Sequence, residues 1–239
     1  MNLYNIGARL YALGVSAIVA LCFLAFGAAL VFYFGPQLAQ ETQRIGDLTE
    51  LDVASFRATP ADQDVLITGV LEDNRKRTSD GLVAYARERW DVEYDSEDGY
   101  EGSWKTIETV LPELTVSVDG GQVRTVSVES ATMGGHRHSQ IVEYGGGKQK
   151  ANGIPEGSIR VIGYKNEDQI TIVGQKTAKG HLLPDRLHGG DRAHLLKELE
   201  TGLWFTSICG VGMILVAPAI LLSALLGRAR ASVSIGGGN

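Results

Sequence analysis

Residues 12–34 and 203–226 are apolar throughout and carry no charged side chain. Each run exceeds the roughly 20 residues that a helix needs to cross a hydrocarbon core about 30 Å thick. They predict two transmembrane helices. Between them the pattern changes to short alternating or β-branched runs separated by turn residues. Residues 65–71, 82–94, 104–111, 114–118, 123–128, 140–144, 158–164 and 169–175 read as strands. Asp119-Gly120-Gly121 marks a hairpin turn, because glycine accepts the positive φ such turns need. Gly145-Gly146-Gly147 reads as a flexible loop. After Gly190 the pattern becomes helical: Asp191 can cap a helix whose Leu195, Leu196, Leu199 and Leu203 share one face, and which can run on into the second span.

The predicted fold class is mainly β: an OB-like barrel or sandwich between two transmembrane α-helices, the second preceded by a juxtamembrane helix. The expected order is an N-terminal tail (1–11), helix (12–34), connector (35–63) with a helical turn near 48–54, β-rich domain (64–188), juxtamembrane helix (189–202), helix (203–226) and disordered tail (227–239).

Charge orients this arrangement. All 28 acidic residues fall within 37–200. Of the 22 basic residues only Arg9, Arg228 and Arg230 lie outside that stretch, which leaves 19 inside it and a net charge of −9. Nucleic acid and anionic headgroups repel such a domain, so nucleic acid is not an expected partner. The lipid bilayer and other membrane-protein subunits are. The tails carry arginine and no acidic residue, which predicts cytoplasmic termini and an extracytoplasmic domain. Phe32, Tyr33, Phe34, Trp204 and Phe205 gather at the opposite boundary, where amphipathic rings sit well.

Small residues let helices approach closely in lipid. Ala12, Ser16 and Ala20 share a face of the first helix, and Ala219, Ser223 and Gly227 a face of the second; these are the expected helix-packing residues. Pro218 removes a backbone donor and predicts a kink. Neither span holds an ionisable side chain of the kind an ion pathway needs.

Chemistry is sparse in the middle segment. Cys22 and Cys209 both lie in the apolar runs, so the domain has no thiol nucleophile or thiolate ligand. His136-Arg137-His138 would put two imidazoles on one face of a strand, a candidate metal site to which His181, His188 or His194 could add a ligand. Without metal it reads as a solvated loop after Gly134-Gly135. Asp91, Glu93, Asp95, Glu97, Asp98 and Glu101 form an acidic run whose spacing does not match a calcium loop, and it reads as a solvated hairpin tip. No Gly-x-Ser-x-Gly or phosphate-loop pattern occurs, and no cofactor is expected.

Four segments together resemble the GIDE, or "beside a membrane", domain. They are Val65-Leu66-Ile67-Thr68-Gly69-Val70, Val83-Ala84-Tyr85-Ala86-Arg87, Trp104 followed by the hairpin Leu114 to Val123, and Gly157-Ser158-Ile159-Arg160-Val161-Ile162-Gly163. The resemblance spans roughly residues 64–226 and includes the two flanking helices. It departs from the family at Gly81-Leu82, where a cysteine is common. Ubiquitin-ligase members of that family carry a C-terminal zinc-binding RING; residues 227–239 contain no cysteine, so no ligase activity is expected of this chain. The expected function is a non-enzymatic, membrane-anchored accessory subunit that presents a β-domain beside the membrane and packs its helices in a larger complex. The alternatives are an extracytoplasmic metal-dependent enzyme built on His136 and His138, and a membrane sensor.

Overall fold

The apolar and polar stretches of the chain fold into different compact units. The computed structural model describes residues 3–96 and 99–233. Two units result: Met1–Arg44 with Glu198–Asn239, and Ile45–Lys197. The chain is mainly β, with one long apolar helix before the sheets and one after them.

In the helical unit, α1 spans Leu3–Ala29 and leads through a π-helical turn, Leu30–Phe34, into α2, Gly35–Asp47. The turn has a local cause. Pro36 has no N–H to continue an α ladder, and the Gly35 N–H reaches back to the Leu30 carbonyl instead. The last helix, α4, is uninterrupted over Arg192–Val233 and contains Pro218. Two stretches, Gly14–Asp47 and Arg192–Ser223, are long and apolar enough to cross a membrane. The expected tails are partly helical: α1 begins at Leu3 and α4 continues to Val233. Residues 1, 2 and 234–239 lie outside the described residues.

Among the described residues the β unit holds twelve strands: β1 (Asp64–Leu71), β2 (Leu82–Asp95), β3 (Gly99–Val110), β4 (Thr115–Val118), β5 (Gly121–Arg124), β6 (Thr132–Gly135), β7 (His138–Glu143), β8 (Lys150–Ala151), β9 (Ile154–Pro155), β10 (Ile159–Lys165), β11 (Gln169–Lys176) and β12 (Leu182–Gly189). They form one sheet ordered β5-β4-β1-β11-β12-β6, a second ordered β3-β2-β10-β7, and the ribbon β8-β9. Neither sheet closes as a continuous ladder among the described residues; an isolated parallel bridge, Thr125↔Leu182, with the Val126 N–H 2.9 Å from the Leu182 carbonyl oxygen, links the chain just after β5 to β12 of the first sheet. They share one core. Val65, Ile67, Ile170, Ile172, Leu182 and Leu187 of the first sheet pack with Val83, Ala84 and Tyr164 of the second. Tyr164 is wholly buried, and its hydroxyl lies 2.7 Å from the Gly134 carbonyl oxygen and 3.0 Å from that of Leu187. A residue of β10 is thereby tied to β6 and β12 across the core.

The connector expected over 35–63 is largely helical. α3 (Val53–Ala58) puts Val53 and Phe56 into the shared core. Six residues make a weak helix alone, and both ends are held. Asp52 accepts a 2.7 Å bond from the Ser55 N–H, which lowers its carboxyl pKa. At the other end the Lys176 ammonium donates to the carbonyls of Arg57 (2.6 Å) and Thr59 (2.5 Å), satisfying helix-end acceptors in a mostly buried setting.

Candidate functional site

The helices approach each other at two glycines. A Cβ on Gly27 would lie 2.8 Å from the Gly210 carbonyl oxygen, and one on Gly210 would lie 2.7 Å from Val31 Cγ2. Gly27 also faces Met213 and Ile214, while Gly210 faces Leu30 and Val31. As one helix ascends the other descends, so the pair is antiparallel. Ala20, seven residues before Gly27, and Ala217, seven after Gly210, are both fully buried. A spacing of seven keeps small residues on a left-handed crossing seam.

Of the residues expected to pack helices, Ala20 is buried, Ser16 is half-buried, and Ala219 and Ser223 are exposed. The Ser223 hydroxyl turns back onto the Ile220 carbonyl at 2.8 Å. The side-chain surroundings of Ala12 and Gly227 lie outside the described residues. The second helix therefore packs on the first through Gly210 and Ala217, not through the face carrying Ala219 and Ser223. Small residues at a spacing of seven mark the seam between the two helices, and the four-residue spacing on α4 marks a stripe that this seam leaves uncovered.

His136 and His138 do not share a strand. β6 ends at Gly135 and β7 begins at His138, in different sheets. His136-Arg137 is thus the corner at which the chain changes sheets, not part of a strand that aligns alternate side chains. The His136 and His138 rings meet edge-on at 5.8 Å. His138 Nε2 lies 3.0 Å from Asp168 Oδ1. His188 is buried and stacks edge-on with His194 at 5.2 Å, and His181 sits in a turn closed by Thr177. No group of three or more His, Cys, Asp or Glu side chains is placed to hold a metal among the described residues.

The acidic run falls on the β2–β3 hairpin, and its first members are paired. Asp91 meets Arg89 at 2.8 Å and Lys105 at 3.1 Å; Lys105 also meets Glu93 at 3.2 Å. These contacts lower the Asp91 pKa, Arg89 contributing most and Lys105 next, and they raise that of Lys105 through Asp91 first and Glu93 second. Residues 97 and 98, and the side chain of Asp95, lie outside the described part. On the other face Trp90 and Trp104 stack at 4.9 Å, and Arg160 lies 4.4 Å from the Trp104 ring while bonding Glu88 at 2.6 Å. Trp90, Val92 and Ala151 form a small satellite core with Trp104 and Ile154. Gly102 is required there, because a Cβ would overlap the Trp90 ring.

In the Gly145-Gly146-Gly147 strap the first and last glycines are close-packed and the middle one is not. A Cβ at Gly145 would overlap the Glu156 carbonyl oxygen, and one at Gly147 would lie 2.7 Å from Glu156 Cβ; the Gly145 N–H bonds the Ser158 hydroxyl at 2.9 Å.

No protein-family model matches the chain, and no curated protein or solved structure matches it either.

Proposed function

We propose that this chain is a non-enzymatic, membrane-anchored accessory subunit that packs its helices within a larger membrane assembly and presents its β-domain on the extracytoplasmic side of a bacterial plasma membrane. The observation that carries the reading is the division of small residues on α4. Gly210 and Ala217 are consumed by the contact with α1, whereas Ala219 and Ser223 remain exposed on an apolar helix. Small residues on a lipid-facing surface favour close approach by a further helix. The arginines at both ends of the chain support cytoplasmic termini. Kinship to the GIDE domain, with OB-like strand order, belongs to the same proposal. Its quoted segments fall on β1, β2, the β4–β5 hairpin and β10.

The test is co-purification in mild detergent. The full-length protein should migrate with other membrane subunits, and Ala219→Leu combined with Ser223→Leu should release it while its melting curve stays unchanged. Migration as a lone chain across several gentle detergents would refute the proposal.

A further inference from the structure

We propose that the outer edge of β3 is a self-association site, at which two copies of this chain pair their β3 strands antiparallel about a two-fold axis through Ser103. β3 is the terminal strand of its sheet and twelve residues long. β10 pairs with β2 only from Leu82 to Arg89, so beyond Trp90↔Trp104 the sheet continues as the β2–β3 hairpin, backed on its Trp90–Val92 face by the β8–β9 ribbon. A long open edge is a template for another strand. Natural edges are commonly protected by a lone lysine. Here Lys105 does not stand alone: its ammonium meets Asp91 at 3.1 Å and Glu93 at 3.2 Å of β2 and keeps a third N–H to offer across the edge.

Charge complementarity identifies the occupant as a second copy. Glu101, Ser103 and Lys105 alternate along one face of β3, and all three are exposed. Centring the pair on Ser103 sets Glu101 of each copy against Lys105 of the other, giving two symmetric ion pairs. The same register sets Tyr100 against Thr106 and the large Trp104 against Gly102, with no like charges opposed between Gly99 and Ile107. Moving the axis to Gly102 places Glu101 against Ser103, and moving it to Trp104 places Glu101 against Ile107; both lose the ion pairs. The hairpin also offers Tyr94 (69% exposed) and Tyr100 (49% exposed), the residue type enriched at interface centres.

The experiment uses the full-length chain with Cys22→Ser and Cys209→Ser, reconstituted in vesicles. Opposed residues of antiparallel strands lie within disulfide reach. Oxidation of Ser103→Cys should yield a linked dimer about tenfold more readily than Arg75→Cys, an exposed position off the hairpin. Adding Glu101→Lys opposes lysine to Lys105 twice and should lower that yield roughly tenfold, with Glu101→Gln intermediate. A nitroxide attached to the Ser103→Cys variant reads the same contact without demanding disulfide geometry, and an inter-label separation under about 20 Å is expected. Equal yields from positions 103 and 75, indifference to Glu101→Lys, linkage to a different protein, or no measurable inter-label distance would each overturn the proposal.

Discussion

Replacing Tyr164 with phenylalanine removes one oxygen and leaves the ring in place. That oxygen lies between the carbonyls of Gly134 and Leu187, at 2.7 and 3.0 Å, in a side chain with no exposed surface. The apolar burial is unchanged, so the loss is that of a buried hydrogen bond shared by two acceptors, about 1–2 kcal/mol. For a unit of this size such a loss lowers the melting temperature by about 2–6 °C. The assay is thermal unfolding of the full-length protein in nanodiscs on a Trp204→Phe background. The remaining tryptophans, Trp90 and Trp104, both belong to the β unit and report on it alone. Tyr144→Phe, at a ring 71% exposed, is the control. If Tyr164→Phe melts within about 1 °C of that control, the hydroxyl does not pin the two sheets and the reasoning fails.

Within the glycine strap, Gly145→Ala should destabilise the β unit while Gly146→Ala, which meets nothing within 4 Å, should be neutral; chemical denaturation of the two variants separates them. In the helical unit Gly27→Val should cost about 1–3 kcal/mol by overpacking, whereas Gly14→Val, with open space around it, should not, as read by denaturing-detergent titration. The Asp91 carboxyl has a lower pKa folded than unfolded. Its contribution is therefore complete above the ordinary carboxylate value near ~4 and is lost as pH falls through the lowered one. An NMR titration should place its midpoint below that of an ordinary aspartate, and Lys105→Met should raise it; a midpoint that ignores Lys105 would contradict the pairing.

The strands legible in the sequence are those whose side chains meet the core on their own. β1, β2, β10 and β11 sit within a residue or two of their expected limits, because Val65, Ile67, Val83, Ile170 and Ile172 alternate or run in unbroken apolar sets. β12 is not legible in this way. Pro184 and Asp185 interrupt its pattern, and its place in the sheet depends on a register shift opposite Val173 and Gly174 that admits the proline. β6 is hidden for a related reason: Thr132-Met133-Gly134-Gly135 has little strand character and is held by parallel pairing to a distant segment. The outer half of β3 reads as loop through Gly99, Gly102 and Ser103, yet Gly102 is what allows Trp90 to lie across it. The histidine pair and the second small-residue stripe are visible as residue types. Their neighbours are not, because the sheet change at His136 and the seven-residue helix seam are set by tertiary packing.

The pairing of β1 with β11 has a consequence for synthesis. Asp64 and Gln175, bonded side chain to side chain, are 111 residues apart. β1 emerges early but finds its main neighbour only when almost the whole β unit has been made, and β12 and β6 close later still. Contacts of such long range make folding slow. The nascent Val65-Leu66-Ile67 segment is therefore an aggregation-prone strand that must be kept apart from its neighbours throughout elongation, so the demand for chaperoning is greatest before the second apolar helix is complete.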